Sequence, residues 1–166
     1  MGFQIRTALE DDAQRIAEIY NWYIQNSICT FETSMVGAEE MRSRIREKLQ
    51  RYCWLVGEEE GTLIAYAYYG AFRPRAAYGH TAESTVYVAQ DCHGKGYGAA
   101  LYADLIAAAQ HQGLRELVGV IALPNPASIK LHEKMGFHQA GLLRQVGHKF
   151  GRYIDVSLWQ RSLESS

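Results

Sequence analysis

The stretch Ser84-Thr-Val-Tyr-Val-Ala-Gln-Asp-Cys-His-Gly-Lys-Gly-Tyr-Gly-Ala-Ala-Leu101 constrains the fold of this chain more than any other. Val86 and Val88, alternating with Tyr87, predict a strand, and Ala99 to Ala109 predicts a helix, so Gly94, Gly96 and Gly98 fall at a strand-to-helix junction. The first turn of a helix carries four N–H groups without intrahelical partners and a partial positive charge. Glycines at that point allow positive φ and let an anion come close to the amides, so the junction suits a diphosphate, with Lys95 and His93 adding charge. The plain alternative is a helix entry that needed only flexible residues.

The chain has 166 residues, 48% of them hydrophobic, which suits one well-packed domain over residues 1–166 and is short for two. Lys and Arg number 17 against 18 for Asp and Glu, so no broad nucleic-acid-binding face is expected and anion recognition must be local. No apolar run approaches the roughly 18 residues of a membrane span, and the N-terminus lacks the apolar core of a signal peptide. Met1-Gly2 suits myristoylation, but Arg6 stands where Ser or Thr is required, so the expected location is the cytoplasm with no membrane partner. Cys29, Cys53 and Cys92 are odd in number and lack close ligand spacing, which predicts free thiols and neither a disulfide framework nor a metal site.

Along the chain, Phe3 to Leu9 alternates as a first strand, and Glu10-Asp11-Asp12 opens a helix reaching about Gln25 with Ile16, Ile19, Tyr20 and Tyr23 on its apolar face. Asn26 to Gly37 reads as a loop, and Ala38 to Arg51 as a surface helix with Met41, Ile45 and Leu49 as a narrow buried stripe. A turn at Glu58 to Gly61 separates strands Cys53 to Gly57 and Leu63 to Phe72, and Arg73-Pro74-Arg75 leads through a loop into the strand His80 to Ala89. After the glycine turn and a helix ending near Gly113 come a strand Glu116 to Leu123, a short helix Ala127 to Met135 opened by Asn125-Pro126, and two strands, Phe137 to Val146 and Tyr153 to Arg161. One strand–helix–strand unit among hairpins predicts a mixed α/β fold with a central sheet and helices on its faces.

Two other phosphate-binding motifs fit the turn poorly. A Walker loop needs Gly at position 89 and Ser or Thr after Lys95, where Ala89 and Gly96 stand. Gly94-x-Gly96-x-x-Ala99 matches the dinucleotide fingerprint, but the next strand, Leu117 to Leu123, has no acid at its C-terminal end to hold a ribose. The motif also lies past mid-chain, with too few βα units after it for a dinucleotide domain.

His93-Gly-Lys-Gly-Tyr-Gly98 resembles the [Arg/Gln]-x-x-Gly-x-[Gly/Ala] acetyl-CoA loop of the GNAT N-acetyltransferase superfamily. Val86-Tyr-Val88 upstream, and Asn125-Pro-Ala-Ser128 and Leu131-His-Glu-Lys-Met-Gly-Phe137 downstream, resemble that superfamily's other motifs in order. Glu83 to Val88 and Val146 to Asp155 are similar to the branch that acetylates phosphinothricin and methionine sulfoximine, and the resemblance covers nearly the whole chain. It departs at His93, where Arg or Gln is usual, and at His132, where many relatives carry the Tyr that protonates the departing thiolate. The resemblance implies a GNAT-like fold, a mostly antiparallel twisted sheet of about seven strands flanked by four helices, and a homodimer.

The implied activity is direct transfer of acetyl from acetyl-CoA to the α-amino group of a small glutamate-like amino acid, such as phosphinothricin, methionine sulfoximine or arsinothricin, in detoxification. Such a transfer needs a neutral amine, stabilisation of an oxyanion and a proton for the thiolate. By resemblance Glu83 is the general base, though a strand carboxylate facing solvent is its ordinary reading, and His132 is the candidate proton donor, though a lone helical His more often packs. Val86, Tyr87 and Val88 are expected along the pantetheine arm, and His93 to Ala99 (His93, Gly94, Lys95, Gly96, Tyr97, Gly98, Ala99) around the diphosphate. Asn125 and Ser128 are placed beside the pantetheine, with a helix cap as the other reading of Asn125. Arg73 and Arg75, two fixed-charge forks around Pro74, suit an acceptor with two acidic groups, and Phe31, Thr85 and Lys149 complete the expected acceptor site. Two other functions remain open to the sequence: a non-catalytic acyl-CoA sensor, and acetylation of peptide or protein amines.

Overall fold

The computed structural model describes residues 2–164. Seven strands, β1 (Phe3–Thr7), β2 (Trp54–Glu59), β3 (Thr62–Ala71), β4 (Thr81–Val88), β5 (Glu116–Ala122), β6 (His138–Lys149) and β7 (Arg152–Ser162), form one sheet in the order β1-β2-β3-β4-β5-β7-β6. Four helices accompany them: α1 (Ala13–Asn26), α2 (Ala38–Leu49), α3 (Tyr97–Gln112) and α4 (Pro126–Lys134). Every strand pair is antiparallel except β4 with β5, which α3 connects. The final two strands form the expected hairpin, but the second of them, β7, lies between β5 and β6.

Strand alternation divides the core in two. Trp54, Val56 and Tyr66 face α1 and α2 and pack with Ile16, Ile19, Tyr20, Met41 and Ile45. Ala65, Ala67, Tyr69, Ala82 and Leu117 face the opposite way and pack with Leu101, Tyr102, Leu105 and Ile106 of α3. The i, i+3 and i+4 spacing of those helical residues puts each set on one side of its helix, where burying large apolar side chains stabilises by about 1.5–3 kcal/mol apiece.

The hairpin connections are shorter than expected. Glu60 and Gly61 have φ of 51° and 81°, and Phe150 and Gly151 have 53° and 73°, so each hairpin closes with two left-handed residues. Two such residues match the right-handed twist of the flanking strands, which therefore run on to Glu59 and Lys149. Helix α1 begins at Ala13 after a 3-10 turn over Glu10–Asp12, and α3 begins at Tyr97, ahead of the expected Ala99.

Candidate active site

Strands β4 and β5 pair over only Thr81↔Glu116, Ala82↔Leu117 and Glu83↔Val118, although β4 continues to Val88 and β5 to Ala122. Beyond Glu83 the two strands diverge, and the backbone edge of Ser84 to Val88 that faces β5 has no ladder partner on that side. The other edge stays bonded to β3 through Ala65↔Val88. A cleft of about 760 Å³ occupies the divergence, and its lining includes Glu83 to Val88, the glycine turn and the first turns of α3 and α4.

At the far end of the cleft the glycine turn presents backbone. Gly94 and Gly96 have φ of 79° and 81°, and no atom lies within 4 Å of where a Cβ would stand on either. Gly96 caps α3, whose first helical bond runs from the Ala100 N–H to the Gly96 carbonyl. The N–H groups of Tyr97, Gly98 and Ala99 thus precede the helical ladder at a cleft-lining helix start, an arrangement fit to hold the diphosphate of a coenzyme. A Cβ at Gly98 would meet the side chains of Val88 and Leu131 at 3.5 Å and 3.7 Å, ordinary contact, so packing alone does not require glycine there.

The side chains of the turn are engaged elsewhere. Lys95 is exposed and outside the cleft lining. Tyr97 stacks on Phe3 with 4.4 Å between ring centroids and donates its hydroxyl to Glu59, so its contribution to the cleft is backbone. Tyr23 donates to the Val88 carbonyl, which leaves its oxygen to accept from Nε2–H of His93 at 2.6 Å, and His93 thereby braces the turn against α1.

The opposite end of the cleft is built of side chains. Glu83 is half-buried and shares a face of the sheet with Tyr68, Thr85 and Tyr87. Burial pushes its carboxyl above the ordinary carboxylate range, while the charges of Lys48 and, more weakly, Arg73 pull the other way. Lys48 comes from α2 and lies across Gly70, the cross-strand partner of Glu83, where an added Cβ would stand 3.0 Å from Nζ. Its ammonium also sits 5.9 Å from the Tyr68 ring centroid.

The loop between α1 and α2 roofs this end. Glu32 accepts two bonds of 2.8 Å from Arg44 and one from Tyr20, while the Thr30 hydroxyl meets Tyr20 Oη at 2.7 Å. Lys149 is buried and donates to the carbonyls of Ser27 at 2.7 Å and Thr30 at 2.8 Å. The ammonium thus ties the β6–β7 hairpin to the roof, outside the cleft lining. Phe31 does line the cleft and packs on Gly147, where a Cβ would fall 2.4 Å from its ring.

Arg73 and Arg75 are exposed and lie outside the cleft lining. The Arg73 guanidinium stands 4.9 Å from the Phe72 ring centroid, at the rim nearest Glu83. Asn125 caps α4 by accepting from the Ser128 N–H at 3.1 Å, and its amide nitrogen reaches Cys29 Sγ across the cleft at 3.4 Å. His132 is buried with both ring nitrogens engaged, Nδ1 with the Ser128 carbonyl at 2.8 Å and Nε2 with the Tyr102 hydroxyl at 3.0 Å.

Sequence reasoning missed Lys48, Tyr68 and Cys29, and read Tyr20 and Tyr23 as apolar packing only. The available signal for the last two was the choice of tyrosine on an apolar helix face, since a buried hydroxyl requires a partner. Nothing in the local pattern of α2 marks Lys48, whose neighbour Glu83 is brought to it by the sheet.

The mixed sheet, with one parallel pair that splays beside a helix start, makes a cleft fit to take an extended coenzyme along one strand edge. The chain belongs to the GNAT acetyltransferases: the family model for the acetyltransferase (GNAT) domain matches residues 5–158. It is 39% identical over 161 residues to the phosphinothricin N-acetyltransferase of Streptomyces viridochromogenes, covering 97% of this chain and 88% of that one. It is 36% identical to the L-methionine sulfoximine/L-methionine sulfone acetyltransferase of Pseudomonas aeruginosa, over 99% of this chain and 96% of that one. The solved phosphinothricin acetyltransferase of Sinorhizobium meliloti, in complex with acetyl-CoA, superposes with a TM-score of 0.94 at 35% identity, over 98% of this chain and 89% of that one. The protein is an acyltransferase with the family's α/β fold.

Proposed function

We propose that the chain acts as one N-acetyltransferase domain that moves acetyl from acetyl-CoA directly to the α-amino group of a small glutamate-like amino acid. Phosphinothricin, methionine sulfoximine and arsinothricin are the acceptors proposed, and their detoxification is the role. The observation that carries this reading is the position of Glu83: a half-buried carboxylate at the last position of β4 that pairs with β5, in the same cleft as the glycine turn. The names of the relatives support the acceptor class.

Acetyl-CoA, when bound, supplies an activated acyl thioester. Backbone N–H groups of Tyr97, Gly98 and Ala99 receive its diphosphate at the start of α3, and the unpaired edge at Val86 to Val88 runs beside its arm. An N–H of that edge stabilises the negative charge that develops on the acyl oxygen. Glu83 takes the proton of the acceptor's ammonium, directly or through a water, and its raised pKa brings the base closer to the working pH. Arg73 and Arg75 attract the acceptor's acidic groups at the rim, Thr85 and Phe31 shape its seat, and Lys149 acts on it through the roof loop. His132 enters as an anchor of α4 and not as the proton donor expected of it, because Nδ1–H is given to a carbonyl and Nε2 accepts from Tyr102; the second proton of the attacking nitrogen passes through solvent to the departing thiolate.

The reading extends to a homodimer in the cytoplasm. Leu143, Val146, Phe150 and Tyr153, between 45% and 69% exposed, leave apolar side chains on the β6–β7 hairpin that suit a second copy. The three free cysteines suit a reducing compartment. A monomeric mass by light scattering at working concentration refutes the dimer. The activity is tested by thiol release from acetyl-CoA with glutamate analogues carrying phosphinate, arsinate and sulfoximine groups, against N-terminal peptides. Turnover of the amino acids alone is expected; turnover of peptides alone, or of neither, overturns the assignment.

A further inference from the structure

The point where β4 and β5 part is marked by three buried polar side chains from three elements. Ser84, 6% exposed, is the first residue of β4 beyond the last pair, Glu83↔Val118. Its Oγ lies 2.6 Å from Oη of Tyr102, which is 1% exposed on α3. Tyr102 Oη lies in turn 3.0 Å from Nε2 of His132 on α4, and Nδ1 of that ring lies 2.8 Å from the Ser128 carbonyl. Ser84 and His132 line the cleft at the ends of this chain, and Tyr102 sits behind them.

Proton counting fixes the direction of the bonds. A carbonyl only accepts, so Nδ1 of His132 carries the hydrogen and Nε2 of the neutral ring must accept. Tyr102 therefore donates to Nε2, which spends its one hydrogen, and Ser84 donates to Tyr102. Burial holds the imidazole in this neutral form, moving its pKa below the ordinary histidine range. The same ring presses on β5 at the first position past the pairing: a Cβ on Gly119 would stand 2.6 Å from Nε2.

We propose that Ser84, Tyr102 and His132 are positioning residues that form a hydrogen-bonded wedge, stopping β4 and β5 from pairing beyond Glu83 and Val118 and so keeping open the slot for the thioester arm. The Ser84 hydroxyl is turned to α3 and lies 3.4 Å from the carbonyl of Val118, the terminal paired residue of β5. The His132 ring packs on the face of β5 at Gly119 and is bonded at both nitrogens, so it fixes β5 and α4, through Tyr102 and Ser84, at the separation from β4 that the slot needs. The inference rests on the reading that the acyl donor lies between β4 and β5.

Steady-state kinetics of Tyr102→Phe, Ser84→Ala and Ser84→Thr in the full chain test it. Tyr102→Phe keeps the ring packing and removes the shared hydroxyl. We expect KM for acetyl-CoA to rise about tenfold in Tyr102→Phe and in Ser84→Ala, with the acceptor KM within about twofold of wild type. Ser84→Thr, which keeps a hydroxyl, is expected to recover most of the loss, and the Ser84→Ala/Tyr102→Phe double variant to be no worse than the Tyr102→Phe single, because both break one chain. Imidazole ¹⁵N shifts of the wild type are expected to show His132 as the Nδ1–H tautomer. A lowered melting temperature with unchanged KM for acetyl-CoA, or an Nε2–H tautomer, overturns the wedge. If the wild type itself neither binds nor consumes acetyl-CoA, the donor reading fails instead, and calorimetry on the wild type separates the two results.

Discussion

The two ends of the cleft are made of different material. At the α3 end the groups on offer are backbone amides, beside Gly94 and Gly96 in left-handed conformations, while the Lys95 side chain of the same turn is exposed outside the cleft lining. At the Glu83 end the groups are side chains drawn from the strands β3 and β4, the helices α1 and α2 and the roof loop. A backbone site tolerates changes of side chain and depends on dihedral angles; a side-chain site depends on the identity and charge of each residue. Donor binding and acceptor chemistry should therefore separate on mutation.

The largest expected effect is at the side-chain end. Glu83→Gln should lower kcat by roughly 100-fold or more, as loss of a general base does, while the dissociation constant for acetyl-CoA stays within about twofold. An unchanged pH–rate profile in this variant would remove Glu83 from the role. The backbone end is tested by Gly96→Val, which places a β-branched residue at φ 81°. The strain, of order 1–2 kcal/mol, should raise KM for acetyl-CoA roughly tenfold and leave the acceptor KM alone. An equal rise in both constants would show that the two ends are not independent.

A subtler test uses Lys48. Burial raises the Glu83 pKa and the Lys48 charge lowers it, so removing that charge should raise it further. The base works deprotonated, so in Lys48→Met the acidic limb of kcat/KM should move upward, with the plateau at high pH retained. A raised acceptor KM with an unmoved limb would instead make Lys48 an acceptor ligand. The smallest effect is expected of Lys95→Ala. An exposed lysine outside the cleft lining should change KM for acetyl-CoA by less than about threefold, and the change should vanish at high salt.

The same contrast explains what could be read in advance. The α3 end is contiguous in the chain, from the strand at Val86 to the helix at Ala99, and alternation, glycine spacing and a helix start are local signals. The Glu83 end is assembled across the sheet: Lys48 is 35 positions from Glu83 and reaches it because Gly70, opposite Glu83, leaves room for the lysine. Lys149 and His132 fared alike. Each is a polar residue of the right chemistry at the expected position in the chain, and each is held by a partner that only folding brings near: Lys149 by the carbonyls of Ser27 and Thr30, and His132 by the Tyr102 hydroxyl.

By itself the sequence determined the order of the strands and helices, the glycine turn at the start of α3, and the resemblance that led to the acetyltransferase family, because periodicity, left-handed glycines and motif spacing are properties of neighbours along the chain. The tertiary structure alone decided that β7 lies between β5 and β6, that β4 and β5 part after Glu83 and Val118, and which polar side chains face the cleft. Those features depend on long-range pairing and on the competition of buried donors and acceptors for partners, and no local window of sequence contains both halves of such a bond.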